Sequence, residues 1–172
     1  MMPEKNSFIL ATPRLLLREL TPADATSFFE LNNDPEVIKF TGDPPFSSRE
    51  SARIFLENYD QYACYGYGRW AVILKETGEF LGWCGLKFSP EMGETDIGFR
   101  FFRKHWGKGF ATEAAAACLD FGFEKLGLEK IVGRAMKENL ASVRVLEKIG
   151  MQFDGEMIFE RHPGVLYSKV KS

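Results

Sequence analysis

The sequence has few of the residues that build disulfide frameworks and zinc sites. Its 172 residues include three cysteines and two histidines. Cys64, Cys84 and Cys118 lie far apart and form no CxxC pair, whereas a disulfide framework or a zinc centre needs closely spaced cysteines or nearby histidines. We therefore expect no structural disulfide and no metal ion, and we expect three small, buried thiols in a reducing cytoplasm.

The sequence also lacks an excess of one charge and a long apolar run. Its 22 Lys and Arg residues and 24 Asp and Glu residues give a net charge of −2. This argues against nucleic acid as a partner, because such proteins concentrate basic residues on one surface. No apolar stretch approaches the ~20 residues that span a bilayer, and Met1 to Lys5 lack the apolar core of a signal peptide. We expect a cytoplasmic protein with no membrane partner.

The remaining composition fits one globular domain. Hydrophobic residues make up 45% and charged residues 27% of the chain, which is typical of such domains. We find no linker and no internal repeat. Residues 1–172 are therefore predicted to form a single domain, with its core between about 12 and 170.

Hydrophobic periodicity predicts alternating strands and helices. Seven short runs indicate strands, and they span residues 14–20, 70–75, 80–87, 94–102, 130–135, 151–159 and 165–170. Helix starts are indicated at Thr21, at Ser47 or Ser48, after Gly109 and at Asn139. The order β-α-α-β-β-β-α-β-α-β-β predicts an α/β layer fold on one mixed sheet.

The strongest functional signal is a glycine-containing turn between the fourth predicted strand and a helix. Gly107 and Gly109 let successive backbone N–H groups point into one concave nest. The helix start adds unpaired N–H groups and a partial positive charge, so the pattern indicates an anion site that suits a pyrophosphate. A Walker loop is absent, and a dinucleotide fingerprint is incomplete because Thr112 occupies its third glycine position. An ordinary glycine-containing loop is the alternative.

Three segments of the chain resemble one family. Residues 106–111, Trp-Gly-Lys-Gly-Phe-Ala, resemble the Q/R-x-x-G-x-G/A loop of the GCN5-related N-acetyltransferases (GNAT), with Trp106 in place of Gln or Arg. Residues 12–18 and 138–150 resemble the opening strand and the last helix of the group that acetylates ribosomal-protein N-termini, the RimJ/RimL-like group. The resemblance runs from about residue 12 to about residue 170, in the right order.

The resemblance implies a single-domain fold with a mixed, mostly antiparallel sheet of six to seven strands flanked by about four helices. It also implies an N-acetyltransferase that takes acetyl-CoA as co-substrate. In this family the pantetheine arm lies along the fourth strand and the pyrophosphate lies in the loop. The resemblance implies that the residues that bind acetyl-CoA are Phe99, Phe101, Trp106, Gly107, Lys108, Gly109, Ala111 and Thr112, together with Asn139 and Ser142 of the last helix.

Direct transfer needs a neutral amine, because an ammonium ion has no lone pair for attack on the thioester. Asp96 matches the position of the family's usual glutamate base, and Glu94 on the same strand face is the reserve candidate. Leu146 replaces the usual tyrosine acid of the last helix, so we expect Ser142, one turn earlier, to donate a hydrogen bond to the leaving thiolate. The alternatives are an exposed polar strand face for the two carboxylates and a backbone-bonded hydroxyl for Ser142.

The sequence carries no motif that names the acceptor amine. The nearest group suggests a protein N-terminus, and small amines are the main alternative. A non-catalytic acyl-CoA-binding module is a second hypothesis, because the helix tyrosine is missing, and a nucleotide-binding domain is a third. The resemblance is also compatible with a homodimer.

Overall fold

The computed structural model of the protein describes residues 8–172, so the expectation for Met1 to Lys5 lies outside the described residues. The strands are β1 (Leu10–Ala11), β2 (Leu15–Glu19), β3 (Arg69–Leu74), β4 (Phe80–Ser89), β5 (Glu94–Phe101), β6 (Lys130–Met136), β7 (Gln152–Phe159) and β8 (His162–Val170). The helices are α1 (Ala25–Leu31), α2 (Pro35–Ile38), α3 (Arg49–Glu57), α4 (Gln61–Tyr65), α5 (Phe110–Glu124) and α6 (Leu140–Lys148). Short 3-10 helices span Pro22–Asp24 and Arg103–His105.

The strands described between residues 8 and 172 form one eight-stranded sheet in the order β1-β2-β3-β4-β5-β6-β8-β7. Neighbouring strands are antiparallel except β5 and β6, which are parallel. The expected mixed, mostly antiparallel α/β fold is confirmed, but the expected number of six to seven strands is wrong. The extra strand, β1, is a two-residue edge strand that pairs with Leu16 and Leu17 of β2. Two residues are too few to show an alternating pattern in the sequence.

Helices α3 and α6 begin where capping side chains predict them. The Ser48 hydroxyl accepts a hydrogen bond from the Ser51 N–H at the start of α3, and the Asn139 side chain accepts one from the Ser142 N–H at the start of α6. Two short helices, α2 and α4, are additional to the four expected, because four or five residues are too few to show helical periodicity. None of the helices between residues 8 and 172 has the length and apolar character that crossing a membrane requires.

Each face of the sheet carries its own hydrophobic core. Helices α5 and α6 cover one face, and α1 and α3 cover the other. Cys84 on β4 and Cys118 on α5 are buried in the first core, with their Sγ atoms 3.8 Å apart. Cys64 is exposed, so the expectation of three buried thiols is wrong for this residue. Cys64 lies on α4, a helix of five residues of which only Gln61 is buried.

Strands β5 and β6 pair over a short stretch and then part. The paired residues are Asp96 with Val132 and Ile97 with Gly133. Beyond them β5 continues to Phe101 and β6 to Met136. We call the gap between residues 98–101 of β5 and residues 134–136 of β6 the wedge. Because α5 starts shortly after β5 ends, the wedge opens toward the first turn of that helix.

Candidate functional site

The glycine turn, residues 106–109, has the backbone conformation that the sequence predicts. Gly107 has a φ of 76° and Gly109 a φ of 80°, and this left-handed region favours glycine because it has no Cβ. Gly109 is the N-cap of α5, whose first residue is Phe110. Since glycine has no side chain with which to cap the helix, the first N–H groups of α5 face the turn and are available to an anion.

Arg14, which directly precedes β2, fixes the glycine turn to the rest of the domain. Its Nη1 donates a 2.9 Å hydrogen bond to the Lys108 carbonyl oxygen, and its Nε donates one of 2.8 Å to Glu113 Oε1. Its guanidinium carbon lies 4.4 Å from the centre of the Phe110 ring, within the range of a cation–π interaction. This one side chain therefore contacts the turn, the first residue of α5 and the first turn of the helix.

Glu113 completes this clamp from the helix side. Its Oε2 accepts a 2.5 Å hydrogen bond from the Thr12 hydroxyl and a 3.0 Å hydrogen bond from the Arg14 backbone N–H. Burial opposes the charge of Glu113, but these hydrogen bonds outweigh burial and hold the pKa of the carboxyl below its ordinary value. The carboxylate also lies in the first turn of α5, where the helix dipole favours negative charge.

The backbone of Phe99 and Phe101 faces the wedge. The Phe102 N–H donates a 3.0 Å hydrogen bond to the carbonyl oxygen of Leu81 in β4. Because backbone groups of successive residues in a strand point to opposite sides, those of Phe99 and Phe101 point away from β4, beyond the last residue that pairs with β6. Trp106 Nε1 donates a 2.9 Å hydrogen bond to the Phe101 carbonyl oxygen. The N–H and C=O of Phe99 and the N–H of Phe101 therefore border the wedge.

The start of α6 supplies the polar side chains expected there. Asn139 Oδ1 accepts a 3.3 Å hydrogen bond from the Ser142 N–H, which leaves the amide nitrogen of Asn139 available. Ser142 is half-buried, and its hydroxyl has no hydrogen-bond partner within residues 8–172. Leu146 is 2% exposed, and its Cδ2 lies 2.7 Å from the place where a Cβ of Gly133 would be. The position of the missing tyrosine is thus occupied by a core side chain.

The sheet face covered by α1 and α3 carries Arg69, Arg100 and Arg134, and we call it the arginine face. Arg69 Nη2 donates a 2.6 Å hydrogen bond to Asp96 Oδ1, and Arg134 Nη1 lies 3.7 Å from Asp96 Oδ2. Arg134 also forms an ion pair with Glu94. Both guanidiniums therefore lie against the Asp96 carboxylate. Any proton that Asp96 accepts would therefore weaken two ion pairs.

A glycine makes room for one of these arginines. A Cβ on Gly98 would lie 2.6 Å from the Arg69 guanidinium carbon, so a larger residue would displace that side chain. Arg69 Nη1 also donates to the carbonyl oxygens of Gly85 and Asp96, at 2.9 Å and 3.0 Å. The Arg69 guanidinium is therefore fixed over β5 at the point where the wedge begins.

Arg100 lies further along β5 on the same face. Its Nη1 donates a hydrogen bond to Asn32 Oδ1, and its Nη2 donates one of 2.8 Å to Asp43 Oδ2. Its guanidinium carbon lies 5.1 Å from the Trp83 ring centre. Burial lowers the pKa of Arg100, and the hydrogen bond with Asp43 only partly offsets this effect. The Nε atom is buried without a hydrogen-bond partner in the part of the chain that the structure describes.

The basic residues around the glycine turn differ in their pairing. Arg103 forms two hydrogen bonds with Asp34, and Lys104 lies 2.8 Å from Glu79. Lys108 is exposed and forms no ion pair with any residue from 8 to 172. Of these cations, Lys108 is the one whose charge is available to a ligand in the turn.

The structure thus brings the predicted loop residues and Phe99 and Phe101 to one end of the wedge, and it places Asp96 and Glu94 on the arginine face. Sequence reasoning gave no role to Arg14, although the opening-strand pattern contains it. It also missed Arg69, Arg100 and Arg134, for which no local signal exists because they lie on three strands. Among residues 8–172 there is no group of three or more His, Cys, Asp and Glu side chains that could hold a metal ion.

Comparison with known proteins gives a family-level match. Residues 14–152 match the acetyltransferase (GNAT) domain model. The chain is 36% identical over 148 residues to the uncharacterized N-acetyltransferase p20 of Bacillus licheniformis. The aligned region covers 85% of this chain and 83% of p20. It superimposes with a TM-score of 0.80 on the crystal structure of an acetyltransferase (GNAT family) from Bacillus anthracis, at 29% identity, covering 95% of this chain and 98% of that one.

A more distant structure bears on the predicted subgroup. The ribosomal-protein-S5-alanine acetyltransferase of Vibrio fischeri superimposes with a TM-score of 0.76, covering 95% of this chain and 96% of that one, at 17% identity. Likeness at this level of identity concerns the fold alone. The ribosomal-protein group therefore stays a prediction from the sequence.

Proposed function

Because this chain belongs to the acetyltransferase (GNAT) domain family, we propose that it transfers the acetyl group of acetyl-CoA to a primary amine by direct attack of the amine on the thioester. The amide C–N bond forms and the thioester C–S bond breaks, while the amine loses a proton and the CoA thiolate gains one. The acceptor is a protein N-terminus or a small amine.

The observation that carries this proposal is the continuity of the wedge with the glycine turn. A ligand whose extended part contains amide groups can pair with the backbone of Phe99 and Phe101, as an added strand would. Its anionic end would then reach the N–H groups at the start of α5. CoA has this layout, since an arm with two amide groups is followed by a pyrophosphate. When bound, acetyl-CoA supplies the acetyl group as a thioester.

The chain's own residues divide the work of binding this substrate. The backbone of Phe99 and Phe101 holds the arm, and Asn139 adds its side-chain amide. Trp106 secures the turn to the end of β5 through its bond to the Phe101 carbonyl oxygen. The N–H groups proposed to bind the pyrophosphate belong to Gly107, Lys108, Gly109, Ala111 and Thr112, and Lys108 adds a positive charge.

Two side chains are proposed to handle protons. Asp96 binds the amine or a water molecule next to it and receives the proton. Asp96, which is paired with Arg69 and Arg134, then passes this proton on to solvent. Ser142, whose hydroxyl has no partner within residues 8–172, donates a hydrogen bond to the leaving thiolate. This bond stabilises the thiolate until it takes up a proton from water.

A screen of acceptors tests the proposal. Purified protein is mixed with acetyl-CoA and with single amines, including short peptides with free N-termini, amino acids and spermidine, and the release of free CoA is followed with a thiol reagent. We expect CoA release that depends on the amine, together with an acetylated product of the expected mass. Binding of CoA is measured separately by calorimetry.

The competing hypotheses give different outcomes in the same experiment. A non-catalytic acyl-CoA-binding module would bind acetyl-CoA tightly and release no CoA with any amine. A nucleotide-binding domain would be stabilised against heat by ATP or NAD and not by acetyl-CoA. Either result would exclude the proposed activity.

A further inference from the structure

We propose that the acceptor carries a carboxylate or a phosphate close to its reacting amine, and that Arg100 binds this anionic group. The inference rests on the proposed function, because it concerns the amine substrate of the same reaction. It follows from the charges on the arginine face and from the incomplete hydrogen bonding of Arg100.

The arginines and carboxylates of the arginine face balance each other in ion pairs. Asp96 is paired with Arg69 and Arg134, and Glu94 is paired with Arg134. Asp43 is paired with Arg100. A polyamine brings additional ammonium groups, and each would have to compete with one of these guanidiniums for its carboxylate. This face is therefore poorly suited to a polycationic acceptor.

Arg100 is a largely buried cation whose Nε–H is unused. Its side chain is 12% exposed, and the Nε–H has no acceptor within residues 8–172. A buried donor without a partner destabilises the fold, and more so when the group is charged. An oxygen atom supplied by a ligand would remove this cost.

The two hydrogen-bond partners of Arg100 differ in how firmly they are held. Asn32, which binds Nη1, is 3% exposed and fixed in the domain. Asp43, which binds Nη2, is 57% exposed and lies in the connection between α2 and α3. An exposed ion pair contributes little to stability, so Asp43 is the replaceable partner. The Nε and Nη2 groups together form the edge of a guanidinium that binds a carboxylate through two parallel hydrogen bonds.

The place of Arg100 along β5 brings it near the start of the wedge. Arg100 lies two residues beyond Gly98, where the unpaired part of β5 begins. At about 3.3 Å per residue this is about 7 Å along the strand. A small molecule or a peptide N-terminus can span this distance, so one acceptor can reach both Arg100 and the start of the wedge. The alternative is that Arg100 only anchors the connection that contains Asp43.

Matched pairs of acceptors separate these possibilities, and their members differ only in the anionic group. The pairs are γ-aminobutyrate with γ-aminobutyramide, O-phosphoethanolamine with ethanolamine, and two serine-initiated peptides with Asp or Asn as the second residue. Spermidine represents the polycations. We expect at least one pair in which kcat/KM for the anionic member is about tenfold higher or more, as two charge-assisted hydrogen bonds allow. The pair that responds shows whether the anion is a free carboxylate, a phosphate or an acidic side chain.

Variants of Arg100 and Asp43 then test the assignment in opposite directions. Arg100→Gln should lower kcat/KM for the anionic member about tenfold and change it less than threefold for the neutral member. Asp43→Asn should raise kcat/KM for the anionic member by freeing Nη2, an effect that misfolding cannot produce. Arg53→Gln removes an exposed arginine that is paired within α3 and serves as the control. Thermal melting monitors the fold of each variant.

The outcomes distinguish this inference from the proposed function. Preference for the neutral members or for spermidine would overturn the inference and leave the acetyltransferase activity standing. An unchanged preference for the anion in both Arg100→Gln and Asp43→Asn would also overturn it. If no amine releases CoA, the proposed function and the inference fail together.

Discussion

The two sides of the proposed site are built by different means. The side that would hold acetyl-CoA consists mainly of backbone groups, and most of them come from the continuous segment 99–112. The arginine face consists of side chains from β3, β5 and β6. They are held by contacts between residues far apart in the sequence, such as Asn32 with Arg100 and Asp96 with Arg134. A backbone site depends on local conformation, which glycine controls. A side-chain site depends on the packing of the whole domain.

This difference has consequences for substitutions. On the acetyl-CoA side a change acts through the conformation of the turn, so it should alter binding of CoA more than turnover. On the arginine face a change acts through charge and orientation, so it should alter turnover and the choice of acceptor. Each of the following substitutions would either sharpen this division or contradict it.

Asp96→Asn should have the largest effect. Replacing the carboxylate with a neutral amide removes proton transfer and the ion pairs with Arg69 and Arg134. We expect kcat to fall about 100-fold, the lower range for the loss of a general acid–base group, while the dissociation constant of CoA changes less than about twofold. Steady-state CoA release and calorimetry measure these quantities. Glu91→Gln, an exposed carboxylate beside β5, is the control, and equal turnover in the two variants would contradict the proposed role.

Gly109→Ala should weaken binding of CoA and leave turnover at saturation nearly intact. Gly109 has a φ of 80°, and a residue with a Cβ there costs about 1–2 kcal/mol. We expect the dissociation constant of CoA to rise about tenfold, measured by calorimetry. Gly127→Ala imposes a similar cost at a φ of 69° in the turn after α5. If Gly127→Ala weakened CoA binding equally, the effect would reflect general destabilisation and not the glycine turn.

Arg14→Lys should have an intermediate effect on CoA binding. Lysine keeps the charge but loses the forked geometry that reaches both the Lys108 carbonyl oxygen and Glu113. We expect the dissociation constant of CoA to rise about fivefold, which corresponds to about 1 kcal/mol. A double-mutant cycle with Glu113→Gln tests whether the two residues act as a unit. Coupled residues should give a non-additive result, and simple additivity would show that Arg14 does not act through Glu113.

The pH dependence of stability should show the smallest effect. The pKa of Glu113 is held below its ordinary value in the folded protein, so its ionised form stabilises the fold at neutral pH. This contribution is complete above the ordinary pKa of about 4.3 and is lost as the pH falls through the lower folded-state pKa. At pH 7 we expect wild type to melt about 2–4 °C above Glu113→Gln. Thermal scans should show this difference shrinking in acid, and a constant difference would contradict the assignment.

The features that the sequence predicts are those determined by neighbouring residues. Gly107 and Gly109 show directly where the backbone turns, and Ser48 and Asn139 show where helices begin. The two-residue strand β1 and the single turn α4 are too short to produce a periodic signal. The sequence therefore predicts the sheet-and-helix framework and fails at its smallest parts.

The arginine face could not be predicted, because no local pattern joins its members. Arg69 meets Asp96 only because β3 and β5 lie on either side of β4, and Gly98 leaves the necessary space. Arg134 reaches the same carboxylate from β6. Arg14 is an intermediate case, since its sequence motif is recognisable but its contact with Lys108 depends on the fold.

Because β5 and β6 part, the exchange of backbone amides in β5 should also report whether CoA is bound. Phe99 and Phe101 lie in the middle of the sheet, but their N–H groups come after Ile97, the last residue of β5 that pairs with β6. In the free protein these N–H groups should therefore exchange with deuterium almost as fast as loop amides. The neighbouring Phe102 N–H, bonded to the Leu81 carbonyl oxygen, provides an internal standard of slow exchange. Addition of CoA should slow the exchange of the Phe99 and Phe101 N–H groups. Their exchange rate would then measure binding of the acetyl donor without any knowledge of the acceptor.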